Sequence, residues 1–317
     1  MIQERLKALR AEMEKRGITV YVVPTADFHE SEYVGDHFKA RKFITGFTGS
    51  AGTAVITLDE AGLWTDGRYF VQAENQLKDS TVTLYRMGEE GVPTVDEFVK
   101  DRLKEGGCLG FDGRVVNGTW GGRLEKIAAE KNVSMHVTED LIDLIWEDRP
   151  ALSKQPLFIL EEKYSGKSTA DKIADLRKAM KENGADVHIL TSLYDIAWLL
   201  NIRGNDIDYV PVVLSYLVLN ETECIWFLQE EVVDDKIRAY LEENHITTKP
   251  YDAIYDYVPE IPADAVVLMN RGTVNYRIVN SLDKAIKVVD KPNPTELMKA
   301  VKNKTEVDNT RAPHVKD

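Results

Sequence analysis

At 317 residues the chain is longer than one hydrophobic core usually serves, so two domains are expected. Apolar residues make up 43% and charged residues 29%, the balance of a soluble globular chain. The net charge of −13 argues against a nucleic-acid binder, and no run approaches the roughly eighteen apolar residues of a membrane span. The charged stretch Met1–Lys7 stands where a signal peptide would be apolar, and Cys108 and Cys224 each lie in an apolar run. A soluble, cytoplasmic protein without disulfides is expected.

Ile2, Leu6, Leu9 and Met13 share one helical face, and Gly17 stops that helix. The apolar run 18–23 follows as a buried strand, ended by Pro24. Two strands, 53–58 and 61–65, are joined by Asp59 and Glu60 as a hairpin, which makes the sheet mixed. Further strands are expected near 81–86, 108–111 and 133–137, with helices between several of them, so the fold class is α/β. The polar, proline-bearing stretch Glu147–Pro156 reads as a linker.

Beyond it the programme starts again. Ile173, Leu176 and Met180 mark a helix, Gly184 stops it, and 187–190 reads as a strand. Aligned without a gap, Leu9, Arg10, Met13, Gly17 and Val20 fall on Leu176, Arg177, Met180, Gly184 and Val187. A looser echo sets Gly46-Phe47-Thr48-Gly49 before one strand and Asn201-Ile202-Arg203-Gly204 before another at 212–219. Self-similarity over so long a period points to duplicated domains. The tail carries a helix from Thr295, with Thr295 as its cap, and a second helical pattern from Thr305 that reads as the start of a further domain.

Little in this sequence forms a catalytic constellation. The six histidines are scattered, and none makes a His-Glu-x-x-His pattern. His29 and His37, with Glu30, Glu32 and Asp36 between them, could hold a metal but fit polar surface decoration better. The loop Gly46–Gly52 lacks the lysine and the following helix of a phosphate loop, and reads as a tight structural turn. A hydrolase built on that loop would need a general base that the sequence does not offer. Arg68, in Trp64-Thr65-Asp66-Gly67-Arg68-Tyr69-Phe70, is more informative. With Thr65 or Asp66 as cap it falls in the first turn of a helix, where the macrodipole disfavours a cation. Local rules broken without compensation tend to mark function; the competing reading is a surface arginine in a structural ion pair, with Asp66 or Glu74 the nearest acids in sequence.

Ser31-Glu32-Tyr33, the Gly46–Ala54 loop and Trp64–Phe70 follow one another as in the cytosolic, three-domain Xaa-Pro aminopeptidases (aminopeptidase P). Asp195–Gly204 resembles the matching signature of that family's second domain, and Lys299–Asn303 with Arg311–Asp317 the opening of its third. The resemblance implies two tandem creatinase-type domains, at 1–147 and 158–290. A linker at 148–157 would join them, and a pita-bread catalytic domain would begin at 294–317. It implies two manganese ions held by two Asp, one His and two Glu, all beyond Asp317, so this chain would carry no catalytic or metal residue. It also implies a cytoplasmic homodimer acting on peptides with proline second, with Arg68 binding substrate, and no nucleic-acid or membrane partner. Pro313 departs from the family, since a proline inside a helix costs on the order of 3 kcal/mol. The competing expectation is a stand-alone, non-enzymatic peptide- or protein-binding module.

Overall fold

A computed structural model describes residues 1–316 and divides into two compact units, Met1–Leu152 with Asn275–Arg277, and the remainder from Ser153 onward. The first unit runs α1 (Ile2–Lys15), β1 (Val20–Pro24), α2 (Ala40–Thr45), β2 (Thr53–Thr57), β3 (Ala61–Thr65) and α3 (Phe70–Leu77). It continues through β4 (Thr83–Arg86), α4 (Val95–Arg102), β5 (Cys108–Phe111), α5 (Gly118–Glu130) and β6 (Ser134–His136). Its six-stranded sheet has the order β4-β3-β2-β1-β5-β6. Strands β1, β2 and β3 pair antiparallel in turn, while β3–β4, β1–β5 and β5–β6 are parallel.

Strand β1 is buried along its whole length because helices cover both faces of this sheet. Tyr21 and Val23 join Leu6, Leu9 and Met13 of α1 on one face. Val20 and Val22 meet Phe98 of α4 and Leu124 of α5 on the other. Gly17 stops α1 at φ 69°, as its position after the apolar stripe predicts.

The second unit runs β7 (Phe158–Ile159), α6 (Glu162–Ser165), α7 (Thr169–Glu182), β8 (Val187–Leu190), α8 (Leu193–Leu200), β9 (Ile202–Arg203), β10 (Ser215–Leu219) and β11 (Cys224–Leu228). It continues through α9 (Asp235–Glu243), β12 (Thr247–Pro250), α10 (Ile254–Tyr257), β13 (Val266–Met269), α11 (Tyr276–Ser281), β14 (Lys287–Asp290), α12 (Pro294–Ala300) and α13 (Lys304–His314). Its sheet, β12-β11-β10-β8-β13-β14, repeats the first sheet strand for strand, with each pairing keeping its direction. The duplication read from the sequence is therefore one of topology. Even the repeated arginine keeps its hydrogen bond. Arg10 donates to Thr57 O at 2.9 Å and Arg177 to Asn220 O at 3.0 Å, each at the end of the equivalent strand.

Two boundaries in the second unit differ from the sequence reading. Strand β10 starts at Ser215 rather than 212, because the Leu214 N–H is taken by the Asp206 carboxylate at 2.9 Å. Helix α12 is capped by Asn293 with Pro294 in the first position, not by Thr295, and Glu296 reaches back to the Asn293 N–H at 3.2 Å. Pro313 lies inside α13 as its penultimate residue, where it can donate no bond to Asn309 O, while Val315 N donates to Arg311 O at 3.2 Å.

His188, on β8, is fully buried. Its Nδ1 lies 3.0 Å from Leu268 O, a pure acceptor, so Nδ1 carries the hydrogen. The Nε2 lone pair has no partner. Protonating it would bury a charge, so burial holds this imidazole below its usual 6.5. The unfolded chain then binds the extra proton first, and stability is lost as pH falls below 6.5. The stability of the wild type relative to His188→Gln should decline from pH 7 to pH 5 in paired denaturant titrations. A pH-independent difference would contradict this assignment.

Candidate functional site

The two motifs singled out in the first half of the sequence meet on one surface of the first unit. Helix α2 ends at Gly46, whose φ of 77° is the left-handed turn that favours glycine. The chain then loops back towards β2, and Arg41 holds it there. This guanidinium is buried, with Nη1 2.5 Å from Phe47 O, Nη2 on Gly49 O, and Nε 2.9 Å from Thr25 Oγ1. No carboxylate lies within 4 Å of it among the described residues, and burial pushes it down to about 10. At Gly52 a side chain would sit 2.9 Å from Trp64 O, so only glycine lets the loop pass this close to β3.

Across the loop, Thr65 Oγ1 donates to Ala51 O at 2.7 Å, and the Ser50 and Tyr69 hydroxyls are 2.6 Å apart. The Ser50 contact lowers the Tyr69 phenol. Thr48 N donates to Gln76 of α3 at 2.8 Å. The Gly46–Gly52 loop is thus a structural turn, as expected, and it touches the Arg68 segment through Tyr69.

Arg68 stands elsewhere than the sequence suggested. Helix α3 begins at Phe70, capped by Tyr69 without a side-chain bond, so Arg68 precedes the helix and the macrodipole argument does not apply to it. Asp66 accepts from Arg68 Nε and Nη2, both at 2.8 Å, and from its backbone N–H at 3.0 Å. This fork holds the Asp66 carboxyl below its usual range. The Arg68 side chain remains 69% exposed, and its Nη1 has no partner among the described residues. It lies 5.3 Å from the Tyr69 ring. Asp66 therefore orients the guanidinium and leaves one edge of it facing solvent.

The histidines that could have formed a metal site do not. His29 is buried rather than decorating the surface, and its backbone N–H, like that of Ser31, donates to Asp27 Oδ1 at 2.9 Å. His37 contacts Pro150 O at 2.8 Å, and burial beside Arg149 holds its imidazole low. Among the described residues no three His, Cys, Asp or Glu side chains converge to hold a metal.

Sequence reasoning missed two residues. Arg41 has no signal, since nothing in its neighbours marks it as buried. Tyr209 of the second unit is 92% exposed at φ 70°, in the turn that Val210 N closes on Ile207 O. A turn position with positive φ normally goes to glycine or asparagine, and a strained, exposed aromatic there is a candidate contact residue.

The creatinase/prolidase N-terminal domain family matches this chain twice, at residues 5–145 and 148–306. A probable Xaa-Pro aminopeptidase P of Neurospora crassa is 38% identical over 99% of this chain and 48% of its own length. Xaa-Pro aminopeptidase 1 of Dictyostelium discoideum is 33% identical over 100% of this chain and 51% of its own. The X-prolyl aminopeptidase of Caenorhabditis elegans, described as a cytosolic enzyme with a di-nuclear active site, superposes with a TM-score of 0.91. It is 31% identical over 97% of this chain and 52% of that one. The chain spans about half the length of the curated relatives it matches.

Arg41→Met should lower stability by about 3 kcal/mol, because it strips two buried carbonyls of a charged donor. Chemical denaturation measures this. A loss below about 1 kcal/mol would mean that the loop holds its shape without the guanidinium.

Proposed function

From the premise that this chain belongs to the creatinase/prolidase N-terminal domain family, as the amino-terminal portion of aminopeptidase P, we propose that it serves a manganese-dependent Xaa-Pro aminopeptidase. It shapes substrate access and subunit contacts in a cytoplasmic homodimer. The peptides have proline second, and the enzyme releases the residue ahead of it. Two manganese ions would supply the hydrolytic chemistry. The described residues do not fit that metal pair, because no set of three ligating side chains converges among them. The divisions 1–147, 148–157, 158–290 and 294–317 are proposed as its first domain, linker, second domain and the opening of the catalytic domain.

The observation that carries Arg68 as the substrate contact is its half-spent fork. Two of its nitrogens are committed to Asp66, which fixes the plane, while Nη1 stays free in solvent. A guanidinium held this way can meet a peptide carbonyl or carboxylate with little further ordering. An exposed ion pair of this kind adds little to folding.

Arg68→Ala in a complete enzyme carrying this chain should lower kcat/KM by roughly 10- to 100-fold with an unchanged melting temperature. Asp66→Asn should lower it less, by loosening the fork. Unchanged kinetics with a lowered melting temperature would make Arg68 a structural residue. The 317-residue chain alone should release no residue from a proline-containing tripeptide with manganese added, and enzyme-like turnover by it would overturn the reading.

A further inference from the structure

The second unit contains a cavity of about 550 Å³ whose wall includes Trp198, Tyr164, Lys172, Arg203, Lys302 and Glu306. Its electrostatics run against those of the chain. The protein as a whole carries −13, yet the three cations just named have no carboxylate within 4 Å among the described residues. The one acid is already engaged: Glu306 accepts from Asn303 N at 2.9 Å and lies 3.4 Å from Trp198 Nε1.

Each cation is held from behind by carbonyl oxygens. Lys172 Nζ donates to Trp198 O at 2.8 Å and Asn201 Oδ1 at 2.7 Å, and sits 4.3 Å from the centre of the Trp198 ring. Arg203 commits only Nη1, to Ala197 O and to Ile202 O at 3.0 Å. Its Nε and Nη2, the edge that binds carboxylate or phosphate in a fork, have no hydrogen-bond partner among the described residues and are open to solvent. Lys302 bonds only Lys299 O, at 2.9 Å. Burial makes the charge on Lys172 harder to hold; Glu306 offsets part of that, and the neighbouring Arg203 adds to it. An entering anion would relieve that cost.

We infer that this cavity is an anion-binding site. Its ligand is a small organic anion, with a carboxylate or phosphate on the Nε–Nη2 edge of Arg203 and a planar or apolar body against Trp198. A bare inorganic ion would leave most of the volume unfilled. The cavity wall shares no residue with the Arg68 surface, and the inference does not rest on the proposed peptidase role.

The test is calorimetric titration of the 317-residue chain with benzoate, phenyl phosphate and neutral benzyl alcohol. One of the two anions, or both, should bind saturably at one site, more weakly as salt is raised, while the alcohol does not. Benzoate alone would assign a carboxylate ligand, and phenyl phosphate alone a phosphate ester. Arg203→Gln should weaken binding on the order of tenfold or more. Because Arg203 also holds backbone carbonyls, Lys302→Gln, at an exposed position, is the second variant, with a loss of about threefold. Lys284→Gln, away from the cavity, should leave the affinity unchanged. No saturable binding of either anion, equal binding of the alcohol, or binding indifferent to Arg203→Gln and Lys302→Gln would overturn the inference.

Discussion

Each unit buries a cation that has no carboxylate beside it, and the two candidate surfaces depend on how those cations are satisfied. A buried charge is tolerated only when its donors find acceptors. With no acid near, the acceptors are carbonyl oxygens, and the chain that supplies them must adopt one path. Arg41 draws in Phe47 O and Gly49 O and so fixes the loop on which Ser50 meets Tyr69. Lys172 draws in Trp198 O and the Asn201 amide and so fixes the end of α8, just before β9, which carries Arg203. Replacing either by an apolar side chain would release a segment as well as a bond.

Much of the frame was legible because it follows from local rules that hold in both halves. The apolar stripe of α1, the left-handed glycine at 17 and the continuous run of β1 recur as α7, Gly184 and β8. The weaker echo between Gly46–Gly49 and Asn201–Gly204 has a structural content that residue identity alone does not reveal. Gly46 and Asn201 both close a helix in the left-handed region, at φ 77° and 51°, just before the chain turns into its next strands. The repeated arginine was visible as an identity, but its hydrogen bond to the end of the following antiparallel strand was not.

What stayed hidden depends on distance along the chain. Arg41 and Lys172 read as ordinary surface cations, because the acceptors that bury them lie 6–29 residues away. Arg68 was singled out for a reason that fails, and it is proposed as a substrate contact for a different one. Its expected place inside a helix rested on Thr65 or Asp66 acting as the cap. In fact Thr65 spends its hydroxyl on Ala51 O, and Asp66 spends its carboxylate on Arg68 itself. The helix starts only after that local pairing, as expected where side chains compete with the backbone for hydrogen bonds. The arginine is thus oriented by its own neighbour two residues back and needs no tertiary partner.

The two units also show how one frame yields two different surfaces. At the left-handed position the first unit has glycine, which offers no side chain; there the counterpart of Lys172 is Arg5, which donates to Phe43 O at 2.8 Å, and a second cation, Arg41, reaches the backbone carbonyls further along the loop. Arg41 can do this because its fork spans Phe47 and Gly49 at once. The second unit has asparagine there, a residue that tolerates the left-handed turn. Its amide accepts from Lys172 and donates to Lys167 O at 2.9 Å. A single ammonium then suffices, and the residues that follow need not supply acceptors. In the first unit they must curl around the guanidinium, whereas in the second they run straight into β9, which pairs with β7 and carries Arg203 on it. At this repeated position glycine thus goes with a loop that cradles an arginine from α2, and asparagine, which binds Lys172 directly, goes with a short strand that presents one.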